Sequence, residues 1–170
     1  FWLDNNLADS VFICTKKSLI KNWQDELEFH GNVKPLVLTN NKSTNSQKLG
    51  LPGSIYLCNY ELIRDQIDTY ETFFQIRGMG IILDESTQIK NPSSKTAKSF
   101  HRLSKSSKKR IIMTGTPISN RPYDIWSQIY FLDGGERLGR TFEDFKEEYD
   151  LGNDLNNNRA RQIILKNNLE

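Results

Sequence analysis

Four times along the chain a short, non-alternating apolar run breaks on polar residues and gives way to a helical pattern. This grammar restricts the fold more than any other feature of the 170 residues. Val11–Cys14 precedes KKSLIKNWQDELEFH, where Leu19, Ile20, Trp23 and Leu27 fall on one helical face and Gly31 supplies a stop. Ser54–Cys58 precedes NYELIRDQ. Gly80–Leu83 precedes DEST and, after Pro92, the helical KTAKSFHRLSK. Arg110–Met113 precedes TGTP and PYDIWSQIYFL, with Pro122 suited to a first turn and Asn120 or Arg121 as its cap. Runs without polar alternation are strands buried on both faces, and helices between them imply parallel crossovers. The expectation is an open α/β sheet with helices on both sides.

Other segments are less regular. Val33–Leu38 is apolar, but Pro35 makes it a poor central strand. The following TNNKSTNSQKLGLPG reads as a polar surface loop. Thr141–Tyr149 reads as a short capped helix with Phe142, Phe145 and Tyr149 on one side, and 151–170 is Asn-rich and weakly helical.

The hydrophobic fraction of 36% supports one domain with a core. No apolar run approaches a membrane span, and the N-terminus carries no secretion signal, so a cytoplasmic protein without a membrane partner is expected. Cys14 and Cys58 lie inside apolar runs with no metal-ligand spacing and read as reduced core residues. His30 and His101 are isolated. The opening FWLDNN, with no initiator Met, reads as an excerpt of a longer chain.

Charge is unevenly placed. Nine Lys/Arg and no acid fall between Ser86 and Tyr123, and the other 14 basic and 21 acidic residues leave the rest at −7. Such a band fits an anionic partner or a solvated helix face equally well.

In open α/β sheets ligands bind beyond the carboxyl ends of the strands. The four polar breaks, Thr15–Ser18, Asn59–Glu61, Asp84–Thr87 and Thr114–Pro117, should share that rim. Asp84 and Glu85 are its strongest pair. Magnesium takes one or two carboxylates plus substrate phosphates and keeps several waters. In an extended chain the next residue points the other way, so Asp84 can face a metal while Glu85 faces a water. An acidic turn after a strand is the plain alternative. TGTP offers two hydroxyls and a glycine turn beside the acids if the two strands are neighbours, and is otherwise an ordinary turn. Trp23 and Trp126 fall on apolar helix faces and read as core.

In order and spacing, TKKSLIKNWQDEL, LCNYELIR, ILDESTQIKNPSSKTAK and RIIMTGTPISNRPYDIWSQIYFL resemble the Swi/Snf-type ATPases of the DEAD/DEAH-box helicase superfamily, in its bacterial and phage-like branch, from about Val11 to Tyr149. The resemblance implies a RecA-like P-loop NTPase lobe using ATP and Mg²⁺. Asp84 would hold the metal, Glu85 would orient or deprotonate the water, and Gly115 would lie at the nucleotide. Thr114 and Thr116 would couple nucleotide state to nucleic-acid contact. Lys17, Ser18, Asn22, Asn59, Tyr60, Lys90 and Asn120 would face nucleic acid, most simply duplex DNA, in contacts that position without reading sequence.

One departure is large: no GxxxxGK[ST] loop occurs in these residues. The phosphate-loop strand and the second RecA-like lobe, which carries the arginine finger in such enzymes, are both expected elsewhere. Residues 1–10 then read as the tail of the helix after that loop. The expected organisation is a partial ATP-binding lobe over 1–150 and the start of a helical or linker segment over 151–170. These residues alone would be inactive. A degenerate lobe that only binds nucleic acid or protein is the second reading, and a metal nuclease lacks the further ligands it needs.

Overall fold

The computed structural model describes residues 1–51, 54–118 and 122–149. Five strands form one sheet: β1 (Ser10–Thr15), β2 (Leu36–Val37), β3 (Ile55–Asn59), β4 (Met79–Asp84) and β5 (Lys109–Met113). Their order is β2-β3-β1-β4-β5 and every pairing is parallel. The β-branched runs read as strands are therefore strands, each followed by helix. Residues 119–121, including the proposed cap Asn120/Arg121, and residues 150–170 lie outside the described residues.

Seven helices are described: α1 (Ile20–Gly31), α2 (Lys42–Leu49), α3 (Tyr60–Asp65), α4 (Ile67–Ile76), α5 (Lys95–Lys105), α6 (Trp126–Asp133) and α7 (Phe142–Tyr149). Pleating sends alternate strand residues to opposite faces. Phe12, Cys14, Tyr56, Cys58, Ile81 and Leu83 meet α2 to α6 on one face, where Phe12 lies 4.8 Å from the Tyr56 ring and 5.0 Å from that of Phe74. Val11, Ile13 and Leu57 take the other face, under Trp23 and Leu27 of α1 and under Trp2 and Leu3. Helices thus cover both faces, unequally.

Three local readings change. The polar stretch after Leu38 is not all loop. Asn41 caps α2 by accepting from Thr44 N, and Asn45, 3% exposed, accepts from Thr39 N at 3.0 Å. Buried amide bonds, not apolar spacing, anchor that helix. The stop of α1 is Asn32 in the left-handed region (φ 47°), one residue beyond Gly31. The first residues turn rather than continue a helix, with Leu7 N bonded to Trp2 O at 2.8 Å. Trp2 presses on the sheet so closely that a Cβ on Gly80 would stand 2.6 Å from its ring.

Register aligns the strand ends. Leu83 is opposite Cys14, Thr15 opposite Asn59, and Asp84 opposite Met113. The polar breaks after β1, β3, β4 and β5 therefore emerge along one rim, and β4 and β5 are neighbours.

Candidate active site

The rim is built around Asp84, the last residue of β4, which is half-buried. Its Oδ2 accepts two hydrogen bonds of 2.8 Å, from Thr15 Oγ1 at the end of β1 and from Trp23 Nε1 of α1. Its carbonyl oxygen accepts the Tyr60 hydroxyl at 2.7 Å. Thr15 is fully buried and Tyr60 is 2% exposed. Side chain and main chain of Asp84 are thus fixed from three elements, with Oδ1 outside these bonds.

Burial raises the Tyr60 phenol well above its ordinary value, helped by the nearby Cys14 thiol and the Asp84 carboxylate. It stays a neutral donor. Tyr60 was expected to face nucleic acid, but its ring packs 5.0 Å from Phe100 in the core and its hydroxyl is spent on Asp84.

Glu85 departs from the extended geometry expected of it. At φ 56°, ψ 52° it is left-handed, and Ser86–Ile89 follow as a 3-10 turn. The two carboxylates are therefore separated by a reversal of the backbone, not by strand pleating. Its carboxylate forms an ion pair with Lys16 at 3.7 Å. A left-handed residue with a Cβ costs about 1–2 kcal/mol, and such strain persists where its surroundings over-determine it.

The TGTP turn follows β5 directly, beside the acidic pair. Thr114 Oγ1 accepts from Thr116 N at 3.2 Å. Gly115 has ordinary φ, and a Cβ there would meet nothing within 4 Å. The turn itself does not demand glycine.

The remaining candidates divide. Lys17, Ser18 and Asn22 are exposed around the start of α1. Lys17 and Asn59 line one groove of about 450 Å³ with Lys21, Thr39 and Asn40, beyond the ends of β1, β2 and β3. Asn59 also caps α3, accepting from Leu62 N at 2.8 Å. Asn22 borders a separate cavity with Trp23 and Asp84. Lys90 Nζ donates to Asp124 Oδ2 at 3.2 Å. Asn120 lies outside the described residues.

The sequence places Thr15 on the rim and Trp23 on an apolar helix face, but does not show that both donate to Asp84. The available signal was their position at a strand end and one helical turn on. Among the described residues no cluster of three or more His, Cys, Asp or Glu could hold a metal alone. Cys14 and Cys58 are free and buried, their sulfurs 3.0 Å apart.

A parallel sheet flanked by helices, with carboxylates and a TGTP turn at adjoining strand ends, defines an α/β lobe of the RecA-like class. Residues 4–166 match the SNF2-related domain, and the chain belongs to that family. It is 32% identical over 165 residues to the DNA excision repair protein ERCC-6-like of Danio rerio, covering 86% of this chain and 10% of that protein. It is 26% identical over 156 residues to the DNA repair and recombination protein RAD54-like of Gallus gallus, covering 84% of this chain and 20% of that protein. Among solved structures it resembles the Sulfolobus solfataricus SWI2/SNF2 ATPase core in complex with dsDNA, at TM-score 0.69 and 29% identity over 95% of this chain and 33% of that one. The chain thus spans a tenth to a third of the length of these relatives. No described helix is long and apolar enough to cross a membrane.

Proposed function

We propose that this lobe contributes the hydrolytic half of a DNA-dependent ATP hydrolase that moves along duplex DNA. The observation that carries the reading is the rigid suspension of Asp84 beside a strained Glu85, at the strand end next to TGTP. Membership of the SNF2-related family and the likeness to an ATPase core solved with dsDNA support it.

Asp84, held through Oδ2 and main-chain O, would offer Oδ1 to Mg²⁺ directly or through a water. One carboxylate with nucleotide phosphates suits a magnesium site. The ion would neutralise charge building on the phosphates. Glu85 would orient the attacking water and accept its proton. Gly115, whose Cβ position is open, would let the nucleotide approach the backbone, while Thr114 and Thr116 relay its presence along the rim. Lys17, Ser18, Asn22, Asn59 and Lys90 are the nucleic-acid contacts of this reading, together with Asn120, which lies outside the described residues. Tyr60 serves from the interior by holding Asp84.

Phosphate binding by a GxxxxGK[ST] loop is not encoded in these residues. Among the described residues β5 is an edge of the sheet, with Ile111 and Met113 38% and 41% exposed. An apolar edge of this kind suits a further parallel strand, which the phosphate loop would follow. A second RecA-like lobe would bring the arginine finger. We read 1–150 as the partial ATP-binding lobe, 151–170 as the start of a linker, and the cytoplasm, where buried thiols stay reduced, as its compartment.

Glu85→Gln in the complete enzyme should reduce DNA-stimulated ATP turnover by at least about a hundredfold, while nucleotide affinity stays within about threefold. Turnover unchanged in that variant would remove Glu85 from its role. DNA-stimulated turnover by the 170 residues alone would refute the dependence on a separate phosphate loop.

A further inference from the structure

Helix α6 carries two consecutive polar residues, Ser127 and Gln128, both fully buried. Most buried polar side chains are paired, and these two reach the same place. Ser127 Oγ donates to the carbonyl of Ile89, the last residue of the 3-10 turn after Glu85. Gln128 Oε1 accepts from Ser86 Oγ, the first residue of that turn, at 2.6 Å. The turn is therefore clamped at both ends by one helix.

Gln128 does more than clamp. Its Nε2 donates to Pro117 O at 2.8 Å and to Asp124 O at 2.9 Å. One acceptor and two donors are all in use, with water excluded. A single side-chain amide thus joins the residue next to Glu85 to the last residue of TGTP. No backbone pairing joins Ser86 to Pro117, since the β4–β5 register ends at Asp84 and Met113.

The geometry points to Gln128 as a positioning residue that transmits displacement of the TGTP turn, through Ser86, to Glu85. This rests on the reading of Asp84–Glu85 and TGTP as one hydrolytic site. Glu85 suits such control because it is held away from its relaxed conformation, so small changes at Ser86 alter its direction. When the Pro117 carbonyl shifts, the amide must follow it or lose a buried bond, and the Ser86 hydroxyl is tied to the other end of that amide.

Hydrogen exchange in the full chain tests the link without any need for turnover. The amides of Gln88 and Lys90 bond Glu85 O and Thr87 O and report on the turn. Pro117→Gly, which loosens TGTP, should speed their exchange by about threefold to tenfold, the loss of one net hydrogen bond. In Gln128→Leu the same change should add less than about 1.5-fold. Ser86→Ala cuts the link from its other end with a smaller change and should behave alike, which guards against failure of the Leu variant to fold. Equal acceleration in the native and Ser86→Ala backgrounds, or none in the native chain, would overturn the proposal.

In the complete enzyme, Gln128→Leu and Ser86→Ala should each lower kcat about tenfold, with KM for ATP within about twofold, and the double variant should be no worse than either. Additive losses in kcat would also overturn the link. An enzyme that never hydrolyses ATP would strike the proposed function, with the exchange result still deciding the link.

Discussion

Thr15→Val is the sharpest test of how the rim is held. Valine fills the volume of threonine and removes only the donor to Asp84 Oδ2, a bond of 2.8 Å between a fully buried hydroxyl and a half-buried carboxylate. A hydrogen bond to a charged group contributes about 1.5–3 kcal/mol. Because Asp84 keeps the Trp23 indole as a second donor and is partly solvated, the low end applies, about 1.5 kcal/mol. Water cannot replace the lost donor on the β1 side, where nothing at Thr15 is exposed.

Urea unfolding of the full chain measures it. With m near 2 kcal/mol/M, the midpoint should fall by about 0.7 M at unchanged m. Trp23→Phe should cost about 2 kcal/mol, since it loses the same kind of bond and part of its apolar contact. The double variant should exceed the sum by about 0.5–1 kcal/mol, because only then is the oxygen left without a donor. In an Asp84→Ala background Thr15→Val should be neutral or stabilising. A midpoint unmoved by Thr15→Val, or strict additivity of the pair, would refute the shared suspension of Asp84.

Three further outcomes follow from particular contacts. Burial lowers the His101 imidazolium below its ordinary 6.5, against its bond to the Ser127 carbonyl. In acid the unfolded chain therefore binds the proton first, so this contribution is complete above about pH 6.5 and is lost as pH falls through the lowered folded value. His101→Asn should flatten that part of a Tm-against-pH curve. Gly80→Ala should push Trp2 off the sheet at a cost of about 1–2 kcal/mol, seen as a red-shifted tryptophan emission that vanishes when Trp2 is also replaced. Gly115→Ala meets nothing within 4 Å, so the melting temperature should hold within about 1 °C while, on the proposed function, ATP turnover of the full-length protein falls at least tenfold. A lowered melting temperature would make Gly115 structural instead.

Much of this fold was written in apolar spacing. β1, β3 and β4 are apolar runs buried on both faces as expected, whereas β5 is an apolar run whose Ile111 and Met113 stay exposed at the sheet's edge; α5 begins and ends at Lys95 and Lys105, as its pattern indicates. What hid did so for a stated reason. α2 holds one buried leucine and a buried asparagine, so no periodicity marks it. Tyr60 lies within the polar break Asn59–Glu61, yet the first turn of α3 rotates it inward. Gln128 sits in an apolar helical run, where a lone amide gives no sign of whether it meets solvent or a buried carbonyl. Trp23 was legible as core, but its indole N–H needed a partner, and only the fold brings Asp84 to it.

The backbone of Glu85 explains why these hidden residues matter to the legible ones. Adjacent carboxylates on one extended strand diverge by pleating at no cost, and the chain instead reverses at Glu85 at a cost of about 1–2 kcal/mol. Such a conformation survives only if its neighbours cannot relax. Asp84 cannot, being held by Thr15, Trp23 and Tyr60. Ser86 cannot, being buried and held by Gln128. Glu85 is thus a strained joint between two fixed points, one anchored to β1 and α1, the other to α6 and the TGTP turn. The acidic pair supplies the charges, while the direction in which the second charge points is set by residues whose types, read singly, look like ordinary core.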